Sequence, residues 1–366
     1  MHGGGRRREL LILPGASRSR QYHRGIDTKA PSTSPQDTAR RARVLTGYRP
    51  TGPLHIGHWF GNILNMRKLQ DEHDAFFFIA DWHMLTTDYD RTELLPERIR
   101  GLVLDWLAAG IDPAKATVYR QSDVPEVAEL ALLLGMITPL GWLERVPTYK
   151  ERLRDLAERD IANYGLLGYP LLQTTDITIV KGELVPVGED QVSHLEISRE
   201  IVRRFNRLYG PVLVEPQPLL SESPLIPGSD GRKMSKSLDN FIGVSDEPDE
   251  ITAKVRTFIT DPKKIRLGDP GRPEICPIFT LQRLFSPPDH VAWIDANCRS
   301  GALGCVEDKL DLAGRIVEYY RPFRERRAEL QRTPEIVDEV LAEGAAKVRP
   351  VVEETMKAVR RAMNLA

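Results

Sequence analysis

The 366-residue chain holds only three cysteines, Cys276, Cys298 and Cys305, an odd set gathered late in the sequence. A disulfide framework calls for an even number in a small secreted domain, so cysteine usage argues against that class and suits a reduced, intracellular compartment. No apolar run approaches the ~20 residues of a membrane-spanning helix, which excludes an integral helical membrane protein. Net charge is also nearly absent, at −1, so any nucleic-acid contact must come from a local patch. The balance is uneven, however. Residues 1–43 carry ten Lys and Arg against three acids, leaving 41 basic and 49 acidic residues in 44–366. The body of the protein is acidic.

What is present begins with that leader, residues 1–43, rich in Arg, Ser, Gly and Pro. Its one short apolar cluster, Leu10 to Leu13, is marginal for a signal-peptide core. The composition suits an organelle transit peptide and equally a disordered extension; the extension is the expectation, with organellar import left open. Beyond it, length favours two domains. Residues 44–47 read as a short strand, "AFFFIADWH" (75–83) as a buried parallel strand, and "ATVYRQSDV" (116–124) as another. Helical segments at 98–113 and 127–134 lie between and after them. Strands alternating with helices predict an α/β domain with a doubly wound parallel sheet over 44–245. From about residue 251 every segment is helix-like, so 246–366 is expected to be an α-helical domain.

Two strings carry the chemistry. "TGPLHIGH" (51–58) places His55 and His58 around Gly57 at the mouth of a helix. A helix N-terminus offers free N–H groups and partial positive charge, which attract phosphate. Each histidine alone reads as well as a cap or loop residue; the Gly and Pro spacing of the whole string fits a phosphate-cradling turn. "DGRKMSKSLDN" (230–240) is a glycine-bearing loop with Lys233 and Lys236 three apart. Alone it reads as a solvated basic loop. Lysine as a mobile point charge nevertheless suits a triphosphate whose charge shifts during reaction.

Together, HIGH followed by KMSKS resembles the signature pair of the class I aminoacyl-tRNA synthetases. The resemblance implies a Rossmann-like catalytic domain that forms an aminoacyl-adenylate from ATP, with Mg2+, and transfers the acyl group to tRNA. Catalysis there is positioning plus stabilisation of phosphoryl charge, so His55, His58, Lys233 and Lys236 are the implied catalytic residues. "LERVPTYKER" (143–152), "LLGYPLLQTTDITIVKGELVPVGEDQVSHLEISREI" (166–201) and "DEVLAEGAAKV" (338–348) extend the likeness to the bacterial type of tryptophanyl-tRNA synthetase. That resemblance covers nearly all of 44–366. It implies an ATP site of Arg49, Pro50, Thr51, Gly57, His58, Lys150, Gly188, Glu189, Asp190, Lys233, Met234, Ser235, Lys236 and Ser237. It implies a tryptophan site of Leu45, Gly47, His83, Tyr169, Gln173, Asp176 and Gln191, with Asp176 accepting the indole N–H and Tyr169 and Gln191 holding the amino group. The substrates implied are L-tryptophan, ATP and tRNA(Trp), in a cytoplasmic homodimer with no membrane or DNA partner.

Tyrosyl-tRNA synthetase is the alternative on the same fold. In that family a tyrosine two residues before the first loop glycine helps to bind the substrate phenol; here, before Gly47, stands Leu45. Leaving a substrate hydroxyl half-paired in a buried pocket costs about 1–3 kcal/mol, which favours tryptophan. A HIGH-type nucleotidylyltransferase is a more distant reading, and the long helical tail argues against it. In that tail Arg321, Arg324, Arg326, Arg327 and Arg332 stand beside Tyr319 and Tyr320. They suit phosphate contacts and base stacking, or else a solvated face paired with Glu325 and Glu329; the resemblance implies anticodon reading. Some relatives hold an iron–sulfur cluster on four cysteines in this region. Here Asp308 stands at the fourth position after Cys276, Cys298 and Cys305, so a lost site is expected and no metal is assigned.

Overall fold

Five parallel strands form the sheet among the described residues: β1 (Arg43–Tyr48), β2 (Asp74–Ile79), β3 (Ala116–Arg120), β4 (Leu184–Val187) and β5 (Gln217–Leu220), in the order β3-β2-β1-β4-β5. The computed structural model describes residues 40–155, 162–188, 192–220 and 225–365. The leader before residue 40, and with it the expected extension, lies outside the described residues. β1 and β2 run in register from Arg43 opposite Asp74 to Tyr48 opposite Ile79. Chain order moves outward from β1 to β3 and then crosses back to β4, so the crevice for a ligand lies past the carboxyl ends of β1 and β4.

The apolar run at 75–83 divides. β2 ends at Ile79, and α3 (Asp81–Asp88) begins at once, because the Asp81 carboxylate accepts from the N–H groups of Trp82 and Ser122 at 3.1 Å. Alternation then sorts the strand onto two faces. Ala75, Phe77 and Ile79 join α1 (Ile56–His58), α2 (Leu64–Glu72) and α4 (Leu95–Ala108) in one core cluster, while Phe76 and Phe78 join the other. That second cluster takes α5 (Glu126–Gly135), which is followed by the short α6 (Leu140–Glu144), α7 (Pro147–Asp155) and α8 (Tyr164–Leu167). It also takes α9 (Tyr169–Ile179) and α10 (Val192–Tyr209).

The rest of the chain is helical among the described residues: α11 (Pro248–Thr257), α12 (Pro277–Phe285), α13 (Pro288–Ser300), α14 (Cys305–Gln331) and α15 (Glu335–Ala362). Two of these return to the sheet. Leu312, Ile316, Tyr320 and Phe323 of α14 enter the first cluster, and Val348, Val352 and Met356 of α15 enter the second. α15 approaches β3 so closely that a Cβ on Gly344 would stand 1.7 Å from the carbonyl oxygen of Val118. Only glycine fits there. No helix among the described residues is long and apolar enough to cross a membrane.

Candidate active site

β1 leads into the turn 49–55, whose Gly52 has φ +116°, a conformation that L side chains rarely adopt. α1 then starts behind His55 and passes into a π-helical turn (Trp59–Ile63) before α2. The two imidazoles stack with ring centroids 3.6 Å apart. Gly57 is required by this packing, because a Cβ there would stand 2.9 Å from the His55 ring. The backbone N–H of His55 donates to His58 Nδ1 at 3.2 Å. Burial, with Lys236 nearby, lowers the His55 pKa to about 4; burial, His55 and Lys236 lower His58 to about 2. Both rings are therefore neutral at pH 7. Because its Nδ1 accepts, His58 keeps its proton on Nε2 and presents a donor there. His55 Nδ1 is buried without a hydrogen-bond partner among the described residues.

The second string closes over this turn. Met234, 4% exposed, sits in the core with Ile226, Ile242, Leu54 and Ile56. Its N–H donates to the carbonyl of Ile226 at 2.8 Å, and His55 and Gly243 form an antiparallel bridge. Asn240, which the motif reading passed over, shapes the loop: it accepts from Ser235 N–H at 2.7 Å and donates to Asp230 and to the carbonyl of Lys233. Ser235 and Ser237 share a hydrogen bond at 2.8 Å. The two lysines differ. Lys236 is half-buried and its ammonium donates to the carbonyl of Gly52 at 3.0 Å. Burial, reinforced by Arg98 and Arg49 against the pull of Asp105, lowers Lys236 to about 8. Lys233 is exposed at the rim.

Across α3 and α9 lies a buried polar hub. Asp176, 2% exposed, accepts from Gln121 Nε2 at 2.8 and 3.0 Å, and its Oδ2 is 2.8 Å from His83 Nε2. Burial raises the Asp176 pKa, against the His83 and Gln121 hydrogen bonds. Gln121 in turn accepts from the N–H groups of Trp82 and His83. Tyr169 lies edge-on to His83, and its hydroxyl is 3.0 Å from His194 Nδ1. Gln121 and His194 were not singled out in the sequence, although His194 lies within the 166–201 string; the fold brings them to Asp176 and Tyr169. Gln173 Oε1 is buried without a partner among the described residues. Leu45 is packed in the second core cluster, and Gly47 makes room for the ring of Phe78, 2.3 Å from where its Cβ would be. Arg49 ties the turn after β1 to α3 through Thr87, at 2.5 Å, and Asp88.

The remaining predicted residues scatter more widely. Pro50 is buried and Thr51 half-buried in the turn; Gly188 is half-buried just past β4; Lys150 is exposed on α7. Glu189, Asp190 and Gln191 lie outside the described residues. Of the arginines on α14, Arg321 and the following Arg332 are exposed, Arg326 pairs with Glu329, and Arg324 folds back onto the carbonyl of Val317. Arg327 turns inward onto Asp105 at 2.6 Å, and Tyr320 is fully buried, so neither faces a ligand from solvent.

Cys276, Cys298, Cys305 and Asp308 line one small cavity with Lys264 and Arg272. Burial raises the Cys276 thiol to about 11, and the Asp308 carboxylate is engaged by Gln282 at 2.8 Å. No group of three or more His, Cys, Asp or Glu among the described residues has the geometry to hold a metal ion. This donor set does not fit a four-thiolate cluster.

A HIGH turn and a KMSKS loop packed together at the switch point of a 3-2-1-4-5 parallel sheet fit the fold of a class I aminoacyl-tRNA synthetase. The family model described as "tRNA synthetases class I (W and Y)" matches residues 37–321. The chain is 46% identical to the tryptophan--tRNA ligase of Aquifex aeolicus and 47% identical to that of Thermotoga maritima. Each match covers 88% of this chain and 100% or 99% of the relative. Among solved structures it resembles the tryptophanyl-tRNA synthetase of Campylobacter jejuni complexed with ADP and tryptophan. There the TM-score is 0.80 at 34% identity, over 88% of this chain and 100% of that one. The chain belongs to the tryptophan--tRNA ligase family. The tyrosine reading is not favoured, and these bacterial relatives give no support to import into an organelle.

Proposed function

We propose that the two turns bind ATP and carry adenylate formation, and that the Asp176 hub selects tryptophan. The overall reaction activates L-tryptophan with ATP and transfers the acyl group to tRNA(Trp), releasing pyrophosphate and AMP. The observation that carries the reading of the site is the Lys236 ammonium seated on the Gly52 carbonyl beside two stacked neutral imidazoles. The Nε2–H of His58, the His55 ring and Lys236 take up charge as the bond to pyrophosphate breaks. Lys233, from the exposed rim, and Lys150 reach the phosphates when the loop closes. Arg49, Pro50, Thr51, Gly57, Met234, Ser235 and Ser237 shape the nucleotide site, with Gly188, Glu189 and Asp190 on its adenosine side. Mg2+ arrives on the triphosphate, a mode that needs no carboxylate cage.

Asp176 accepts the indole N–H. Tyr169 and Gln191 hold the amino end, and Gln173, His83, Leu45 and Gly47 complete the pocket. Residues 246–366 bind the anticodon of the tRNA through the exposed arginines, and the protein works in the cytoplasm. Leu132, Met136 and Tyr164 are 57%, 70% and 73% exposed, and the Tyr164 hydroxyl lies beside Gly135. Such an apolar patch suits burial against a second copy; sedimentation of Met136→Glu as an unaltered oligomer would contradict that. Pyrophosphate exchange into ATP, run with each proteinogenic amino acid, tests the whole reading. Tryptophan alone should support it, and exchange with tyrosine at a comparable kcat/KM would overturn it.

A further inference from the structure

α14 grips the HIGH turn on both flanks. On the N-terminal side, the Asp105 carboxylate of α4, 1% exposed, divides its oxygens. One accepts from the backbone N–H of Leu54 at 3.3 Å, and the other accepts from Arg327 Nε of α14 at 2.6 Å. On the C-terminal side, Trp59 Nε1–H donates to the hydroxyl of Tyr319 at 3.2 Å, and the Trp59 ring meets Tyr320 and Phe323 edge-on. His55 to His58 are thus bracketed by Leu54 and Trp59, and both brackets end on one helix. The Lys236 contact on Gly52 lies two residues before Leu54.

We propose that Arg327, through Asp105, and Tyr319, through Trp59, are positioning residues by which α14 sets the backbone of the ATP-binding turn. Neither touches the reacting atoms. Residues after β5 therefore hold the catalytic turn in place from both ends. A buried ion pair is weak support for stability in itself, because desolvation offsets the attraction. The Asp105 pair makes structural sense as a holder of Leu54, whose N–H it satisfies.

The inference rests on the turn's being the ATP site. The test is tryptophan-dependent pyrophosphate exchange on the full chain, with ATP and tryptophan varied separately, for Arg327→Met, Arg327→Lys and Tyr319→Phe. Arg327→Met should lower kcat/KM for ATP by at least about fivefold, while KM for tryptophan stays within about twofold. Arg327→Lys should recover most of that loss, and Tyr319→Phe should lower the same parameter by a smaller factor. Amide exchange of residues 52–60 should accelerate in Arg327→Met. If that variant does not fold, Tyr319→Phe carries the test, since it removes one hydroxyl and keeps the ring. Equal losses for both substrates, or unchanged kinetics with only a lowered melting temperature, would overturn the proposal. Full activity of His58→Ala would instead overturn the reading of the turn itself; an inactive His58→Ala beside an unaltered Arg327→Met would overturn the positioning role alone.

Discussion

The Asp176 hub and the pair of HIGH and KMSKS turns are built on opposite terms. Both carboxylate oxygens of Asp176 are held by protein side chains, and its partner Gln121 is locked in turn by two backbone N–H groups. Asp176 and Gln121 thus fix each other, although Gln173 Oε1 nearby is left without a partner among the described residues. At the turns, by contrast, His55 Nδ1 is buried and unpartnered among the described residues, two imidazoles are kept neutral, and an ammonium rests on a backbone carbonyl with its pKa lowered. Selecting an indole calls for a rigid acceptor, whereas moving charge onto pyrophosphate calls for donors whose interactions strengthen only in the transition state. One side is finished in advance, and the other is poised.

The largest effect should come from the poised side. Lys236→Ala removes the cation nearest the stacked histidines. It should lower kcat for adenylate formation by about 2.7–4 kcal/mol of transition-state stabilisation, with KM for tryptophan little changed. Single-turnover adenylate formation against tryptophan concentration measures both. A variant that loses tryptophan affinity but keeps its rate of chemistry would erase the contrast between the two regions.

Asp176→Ala tests the finished side. It removes the buried acceptor and leaves His83 and Gln121 facing each other without it, so kcat/KM for tryptophan should fall by about 1–3 kcal/mol. KM for ATP should hold. Tryptophan-dependent exchange at the wild-type level would remove Asp176 from the site.

Acidity separates the regions by a smaller amount. Lys236 loses its proton near pH 8, well below an ordinary lysine, so kcat/KM for ATP in exchange should decline as pH rises through about 8. Stability responds at the other end. Folding depresses His55 from 6.5 to about 4, so between those values the unfolded chain binds the extra proton. Stability therefore rises with pH across that window and is lost as pH falls through it. A flat ATP profile between pH 6.5 and pH 9.5 (about 1.5 units either side of the Lys236 value) would mean that Lys236 does not act as a cation there.

What the sequence made legible follows the same division. The turns are contiguous strings whose spacing carries their geometry, so His55, Gly57, His58 and Lys236 could be singled out, and the apolar run from Ala75 could be read as a buried strand; that it gives way to a helix at Asp81 could not. Lys233 was read together with Lys236, yet only Lys236 reaches the turn, because the loop's twist around Asn240 decides which lysine points inward. Gln121 and His194 were missed because each meets its partner only through tertiary packing, Gln121 from the end of β3 and His194 from α10 against α9. Arg327 was grouped with surface arginines, since helical spacing on α14 cannot disclose that Asp105 waits on α4.

The smallest effect should appear at the cysteine cavity, whose residues belong to neither region. Three thiols and a carboxylate converge there, and a carboxylate is a harder donor than thiolate and suits a sulfide-rich centre less well. Asp308 is held by Gln282, and the Cys298 sulfur is packed so tightly that it would stand 2.5 Å from a Cβ on Gly271. These are features of cysteines packed as small apolar groups. Anaerobically purified protein should show substoichiometric iron and no broad visible absorption. Cys298→Ser should cost on the order of 1 kcal/mol of stability and leave aminoacylation within about twofold of wild type. Stoichiometric iron and sulfide, lost together with tRNA charging in that variant, would make this cavity a metal-braced part of the enzyme and add a third term to the contrast.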